Sequence, residues 1–140
     1  MITRMSKEEA YELLRSKRVA RLGCIADGRP YVVPINYVFD DECVLSHSLP
    51  GRKVRAMRER PLVCLQTDDV RDQFNWQSVI AYGTFEEIAA PSERSRALNL
   101  LLSLFPRLTP VESFIAGAAD APSPIVYRVR IESITGLREG

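Results

Sequence analysis

Hydroxyls, cations and an imidazole are concentrated in one short segment of the chain, and this combination of side chains suits an anion. The segment from Ser46 to Lys53 reads SHSLPGRK and contains the only histidine of the sequence. Gly51 immediately precedes a predicted helix, whose first amides are unpaired and whose dipole favours negative charge. The segment therefore offers four side chains as candidate ligands of a phosphate group: His47, Ser48, Arg52 and Lys53.

The same residues also fit a simpler interpretation. His47 would then end a strand, and the cations from Arg52 to Arg60 would form a solvated helix face. Nucleic-acid binding is the least favoured interpretation, because no aromatic residues alternate with these cations and the net charge of the chain is only +1. From the residues alone, the phosphate site and the solvated face stay about equally supported.

A strand interrupted by a proline forms the second candidate segment. Residues 31 to 37 read YVVPINY. Proline cannot donate to a strand ladder, so Pro34 indicates an edge, a bulge or backbone turned toward a ligand. Asn36 could offer a donor and an acceptor, and Tyr37 a flat surface. An ordinary edge strand explains the same pattern.

An aromatic strand forms the third candidate segment, because residues 75 to 83 read NWQSVIAYG. Trp76 and Ser78 share one face of this strand, with Tyr82 further along the same face. The indole could wall an aromatic cofactor while Ser78 reaches one of its polar atoms. The alternative is that Trp76 fills a core or an interface.

Six segments that must position these residues have the pattern of β-strands. They are 19–26, 31–39, 43–48, 62–67, 76–88 and 125–134. Asp27-Gly28 predicts a tight hairpin, residues 68 to 75 a polar connection, and Gly83 a bend or bulge. Helices are predicted after a capping box at Ser6 and Glu9, over 52–60 and over 91–105, whereas residues 107 to 124 suggest an irregular loop.

The predicted fold class is mainly β (α+β), a six-stranded antiparallel barrel with flanking helices, because closure would remove exposed strand edges. The 140 residues fit one domain, 1–140. No secretory signal or apolar run of membrane-spanning length is evident, which predicts a cytoplasmic protein without a membrane partner. Cys24, Cys43 and Cys64 are too far apart for a metal-ligand pair, so no metal site is predicted.

No side-chain constellation for acid, base or nucleophilic catalysis is evident, and no phosphate-binding glycine loop or dinucleotide fingerprint either. No catalytic residue is therefore predicted. If the chain is an enzyme, a bound cofactor carries the chemistry.

Taken together, the three segments resemble the pyridoxamine 5′-phosphate oxidase-like FMN-binding split barrels, in particular the small branch that includes nitroimidazole-resistance proteins. The resemblance rests on 23–37, on 45–48 with 51–53, and on 76–79 with Tyr82-Gly83, in this order. It extends from about Ser6 to Ile88 and resumes over 126–136.

The resemblance implies a six-stranded split barrel that forms a homodimer, with one FMN at each end of the interface. His47, Ser48, Arg52 and Lys53 would hold the phosphate. Four residues would border the ring: Val33, Pro34, Asn36 and Tyr37. Trp76 and Ser78 would come from the partner subunit.

The function that this resemblance implies is a flavin-dependent oxidoreductase acting on a small organic electron acceptor or donor. Pyridoxamine phosphate oxidases close with a basic segment that contains histidine, and residues 131 to 140 contain none, so vitamin B6 oxidation is not expected. The second hypothesis is a non-catalytic protein that binds a flavin, a deazaflavin or haem, with His47 as axial ligand. The third is an interaction module whose basic helix meets an acidic partner.

Overall fold

The computed structural model describes residues 1–105 and 123–140, and most of the predicted loop over 107–124 lies outside them. The described residues form eight strands and three helices. In chain order these are β1 (Ile2–Arg4), α1 (Lys7–Ser16), β2 (Val19–Ala26), β3 (Arg29–Asn36), β4 (Val38–Asp40), β5 (Cys43–Ser48), α2 (Arg52–Glu59), β6 (Leu62–Asp72), β7 (Asn75–Glu87), α3 (Pro91–Leu104) and β8 (Ile125–Glu139).

All strands belong to one antiparallel sheet in the order β3-β2-β6-β7-β8-β5-β4, with β1 paired to the end of β8. The mainly β fold with flanking helices is confirmed. The prediction of six strands and a closed ladder is wrong in detail, because β3 and β4 stand at the two ends of an open path among the described residues.

The predicted strand over 31–39 is two strands because Tyr37 leaves the ladder. Its backbone N–H donates to the carbonyl of Arg18 at 2.9 Å, and its hydroxyl donates to the carbonyl of Leu14 at 2.5 Å. Both bonds turn the chain from β3 into β4. The hairpin before it is as predicted, since Asp27 and Gly28 take φ values of 53° and 74°.

The polar connection predicted over 68–75 is wrong, because β6 continues to Asp72 and β7 already begins at Asn75. The carboxylate of Asp72 closes the tight turn by accepting from the backbone N–H of Phe74 at 2.8 Å and from the Asn75 amide at 2.9 Å. The polar residues of this stretch do not interrupt the sheet, because they lie on its solvent side or beyond the core.

An irregularity opposite Gly83 is confirmed, and it belongs to the partner strand. Tyr82 pairs with Ser133 and Gly83 pairs with Ile131, so Glu132 is an extra residue in β8. A Cβ on Gly83 would clash with the carbonyl oxygen of Arg130, so only glycine fits this close approach of the two strands.

The main core lies between the inner face of the sheet and helices α1 and α2. Its largest fully buried members are Leu14, Leu22, Tyr37, Met57, Leu65 and Tyr127. A smaller core lies under α3, where Leu101 packs with Leu45 and Val126. No helix among the described residues is long and apolar enough to cross a bilayer.

The opposite side of β3, β2, β6 and β7 is named the open face here. Its apolar side chains are largely exposed, as Val32 at 65% and Tyr82 at 49% show. The other residues of the open face that matter below are Val19, Arg21, Gly23, Pro34, Asn36, Leu62, Cys64, Gln66, Asp68, Trp76, Ser78 and Ile80. Its exposed large apolar residues are Val19, Val32, Leu62, Ile80 and Tyr82, and polar side chains lie between them.

Candidate functional site

The start of α2 is a helix N-terminus without a cap of its own. Gly51 is the N-cap in an extended conformation, and no side chain accepts from the first amides. No acidic residue occupies the first turn, which begins with Arg52 and Lys53. Cations at this end are opposed by the helix dipole, so a bound anion would relieve an unfavourable arrangement and satisfy open amides at once.

Helix α2 is fixed against the β2–β3 hairpin by its buried face of Val54, Ala56 and Met57. The guanidinium of Arg52 lies 5.0 Å from the ring centroid of Tyr31 and 3.3 Å from the carboxylate of Asp27. Burial raises the pKa of the Cys24 thiol in β2, and the positive charge of Lys53 acts in the opposite direction.

His47 and Ser48 end the strand that leads into α2, with their side chains on opposite faces of β5. Ser48 is buried and its hydroxyl donates to the carbonyl of Leu49 at 2.8 Å. His47 is half-buried and pairs with Val126 across the ladder. The predicted phosphate residues therefore all lie at the β5–α2 junction, with His47 and Ser48 on opposite sides of β5 and Ser48 engaged in a local bond.

The four predicted residues around β3 divide into two groups. Pro34 and Asn36 are exposed on the open face, whereas Val33 turns toward the main core. Tyr37 is fully buried, and burial raises the pKa of its phenol to about 12. The structure therefore does not offer Tyr37 as a flat surface for a ligand in this chain, because its ring is part of the core.

Trp76 and Ser78 share the open face of β7 as predicted, and each has a hydrogen-bond partner. The indole N–H of Trp76 donates to the carboxylate of Glu139 on β8 at 3.1 Å. The hydroxyl of Ser78 accepts from the amide of Gln66 on β6 at 3.1 Å. Both side chains are half-buried.

Within one chain the two halves of the predicted ring site lie apart. Asn36 on β3 and Ser78 on β7 are separated by β2 and β6. Three strand spacings amount to about 14 Å, so these side chains cannot grip one edge of a ligand together. The residues predicted to hold the phosphate are neighbours along the chain at the β5–α2 junction, whereas Trp76 and Ser78 lie elsewhere on the open face.

Sequence reasoning missed the polar neighbours of Ser78 and an apolar hollow beside Gly23. A Cβ on Gly23 would come within 2.8 Å of the sulfur of Cys64, so glycine keeps the surface low there. The resulting cavity of about 270 Å³ is lined mainly by apolar groups, including Ile25, Val32 and Tyr82. Strict alternation along β2, β6 and β7 was the available signal, because it assigns these residues to one face.

Known proteins and a protein-family model match the sequence over almost the whole chain. The family model described as pyridoxamine 5′-phosphate oxidase matches residues 6–138. An uncharacterized protein of Rhizobium meliloti is 33% identical and is aligned over 94% of this chain and 91% of its own length.

Solved structures extend the comparison to the fold. A FAD-binding protein of Mesorhizobium loti is 31% identical with a TM-score of 0.83, covering 100% of this chain and 99% of its own. A FAD-binding protein of Mycobacterium smegmatis is 23% identical with a TM-score of 0.68, covering 99% and 98%. A candidate 5-nitroimidazole antibiotic resistance protein of Bacteroides thetaiotaomicron is 19% identical with a TM-score of 0.72, covering 98% and 87%. The last two show a shared fold alone.

Proposed function

Because the chain belongs to the pyridoxamine 5′-phosphate oxidase family, we propose that it is a flavoprotein that holds FMN at the β5–α2 junction. The observation that carries this proposal is the uncapped, cationic start of α2. The open amides and the cations Arg52 and Lys53 are the donor set that a phosphate dianion requires. His47 and Ser48 complete that set from the preceding strand.

The ring of the flavin would lie between Pro34 and Asn36 of one subunit and Trp76 and Ser78 of a second copy. The separation of these two pairs within a chain supports a homodimer, because a partner packed on the open face could bring the second pair across. The exposed apolar residues of that face support the same arrangement, since dimerisation would remove them from water.

The proposed activity is a flavin-dependent oxidoreductase that acts on a small organic molecule. A bound flavin supplies hydride and single-electron transfer. The part of this chain would be to bind the phosphate, orient the ring and exclude water from one side of it. The alternative is a protein on the same fold that binds a flavin, a deazaflavin or haem without turnover.

The three free thiols, Cys24, Cys43 and Cys64, support a reducing, cytoplasmic location.

FAD is the second candidate ligand, because the relative from Mesorhizobium loti is described as FAD-binding. FAD shares the ring and the first phosphate with FMN, so the same anchor at α2 would serve both. Additional contacts to an adenosine group would decide between them.

Titration of the purified protein with FMN, FAD and riboflavin tests the binding proposal. We expect a yellow protein and micromolar or tighter affinity for FMN, with roughly 100-fold weaker binding of riboflavin, because riboflavin lacks the charge-assisted phosphate bonds. A colourless protein without affinity for FMN or FAD would overturn the proposal. A Soret band that His47→Ala abolishes would favour the haem alternative.

Reoxidation kinetics test the activity. The flavin in the protein would be reduced anaerobically with dithionite and mixed with a nitroaromatic compound or a quinone. We expect faster electron transfer from the protein than from free FMN at equal concentration. An equal or slower rate with every acceptor favours the binding protein without turnover.

A further inference from the structure

Four polar side chains form a chain of contacts across the open face, beside Trp76. The guanidinium of Arg21 lies 3.6 Å from the carboxylate of Asp68. The other oxygen of Asp68 accepts from the amide nitrogen of Gln66 at 3.0 Å, and the same nitrogen lies 3.1 Å from the hydroxyl oxygen of Ser78. These contacts join three neighbouring strands, β2, β6 and β7.

The carboxylate of Asp68 fixes which way the amide of Gln66 faces. A carboxylate paired with a guanidinium can only accept hydrogen bonds, so the group of Gln66 that faces it must be the NH₂. The NH₂ has two hydrogens and no acceptor atom. One hydrogen reaches Asp68, and the other is directed to Ser78.

The orientation of Gln66 in turn fixes the role of Ser78. Because the amide nitrogen can only donate, the serine oxygen must accept, and its own hydrogen points away from Gln66. Among the described residues no other group accepts from this hydroxyl. Ser78 therefore presents a donor on the open face, between Trp76 and Ile80.

We propose that Gln66 is a positioning residue that commits Ser78 to donate to the ligand, so that the site recognises an acceptor atom on the ring edge. This inference rests on the proposed function. In a flavin the matching atoms are the pyrimidine carbonyl oxygens, while the ring N–H is excluded from this position. Arg21 and Asp68 act one step further away by holding the amide of Gln66.

A donor at this position has a consequence for redox chemistry as well as for affinity. Reduction increases the electron density on the pyrimidine carbonyl oxygens of a flavin ring, so a donor fixed on one of these oxygens binds the reduced form better. Losing a tenfold preference for the reduced form lowers a two-electron midpoint potential by about 30 mV. Affinity and potential should therefore fall together when the donor is lost.

The test uses Ser78→Ala, Gln66→Met and the double variant, with Gln73→Met in the exposed β6–β7 turn as the matched control. We expect Ser78→Ala to weaken flavin binding about tenfold and to lower the midpoint potential. Gln66→Met should cause a smaller part of both effects, because methionine fills the space but no longer fixes the direction of the Ser78 hydroxyl. The double variant should be no worse than Ser78→Ala, since Gln66 acts through Ser78.

A lysine at position 66 provides the rescue. Its ammonium can donate to Asp68 and Ser78 together, so Gln66→Lys should restore affinity when Ser78 is present and not when it is alanine. Additive losses in the double variant, or rescue that does not depend on Ser78, would overturn the inference. If the native protein binds flavin and both single variants match it, this inference fails while the proposed function stands. If the native protein binds neither FMN nor FAD, the proposed function fails first.

Discussion

Tyr37 and Tyr127 each place a phenol inside the main core. Both side chains are fully buried, and burial raises the pKa of each phenol to about 12. An unfolded tyrosine ionises near pH 10. Between these two values the unfolded chain releases protons that the native state retains.

The free energy of unfolding should therefore be insensitive to these phenols below about pH 10 and fall from there toward pH 12. Each phenol contributes a slope of up to about 1.4 kcal/mol per pH unit over this window. Urea denaturation at pH 8, 10 and 11 measures it. Tyr37→Phe should make the fall shallower and cost about 1–2 kcal/mol at neutral pH, because the carbonyl of Leu14 loses its donor. The control is Tyr82→Phe on the open face. A Tyr37→Phe profile parallel to that of the native protein would contradict the argument.

Arg52 and Lys53 at the start of α2 provide a second prediction. Arg52→Ala and Lys53→Ala should each weaken FMN binding about tenfold, because each removes a charge-assisted bond to the phosphate. Binding of riboflavin should change little. Arg55→Ala, which removes an exposed cation one turn further along α2, is the control. Equal effects of all three variants in a calorimetric titration would indicate a general charge effect instead of a phosphate site.

Local signals predicted the elements whose geometry is decided locally. The capping box is present, with Ser6 and Glu9 bonded in both directions, and the Asp27-Gly28 hairpin has the positive φ angles that the dipeptide favours. The break at Tyr37 was not predictable, because bonds to Arg18 and Leu14 cause it. The extension of β6 to Asp72 depends in the same way on pairing with β7.

The close approach of β7 and β8 at Gly83 gives a testable prediction. Gly83→Ala should cost about 3 kcal/mol of stability, because the new methyl would meet the backbone of β8 at Arg130 and the side chain of Val129. Gly51→Ala is the matched control, since its Cβ would come no closer than 3.9 Å to a neighbouring atom. Thermal unfolding followed by circular dichroism compares the two. Similar melting temperatures for both variants would refute the tight approach of β7 and β8.

At the scale of the whole molecule, the arrangement of the open face depends partly on one chain and partly on the packing of a second copy. Strand alternation predicts that Pro34, Asn36, Trp76 and Ser78 lie on strands, and the structure has all four on this face. Which of these residues meet in a dimer depends on how the second copy packs, and the residue pattern of one chain does not determine that packing. The polar chain through Gln66 was equally hidden, because it joins residues from three strands.

A charge placed on the open face should prevent the proposed dimer. We expect Tyr82→Asp to give a monomer in analytical ultracentrifugation, because burying an unpaired carboxylate in an interface is costly. The variant should also lose FMN affinity, since the second half of the ring site would be missing. Leu102→Asp, an exposed apolar position on α3, is the control. A dimer that survives the Tyr82 substitution would move the interface elsewhere.

The extra residue in β8 sets the phase of everything that follows it. Before Glu132 the odd-numbered residues Tyr127, Val129 and Ile131 face inward, and after it the odd-numbered Ser133, Thr135 and Leu137 face outward. If Glu132 instead took a regular place in the ladder opposite Tyr82, every later side chain of β8 would exchange sides, as a frameshift changes every later codon of a message. Three outward residues would enter the interior, and Gly136 would lose its close fit against Met5.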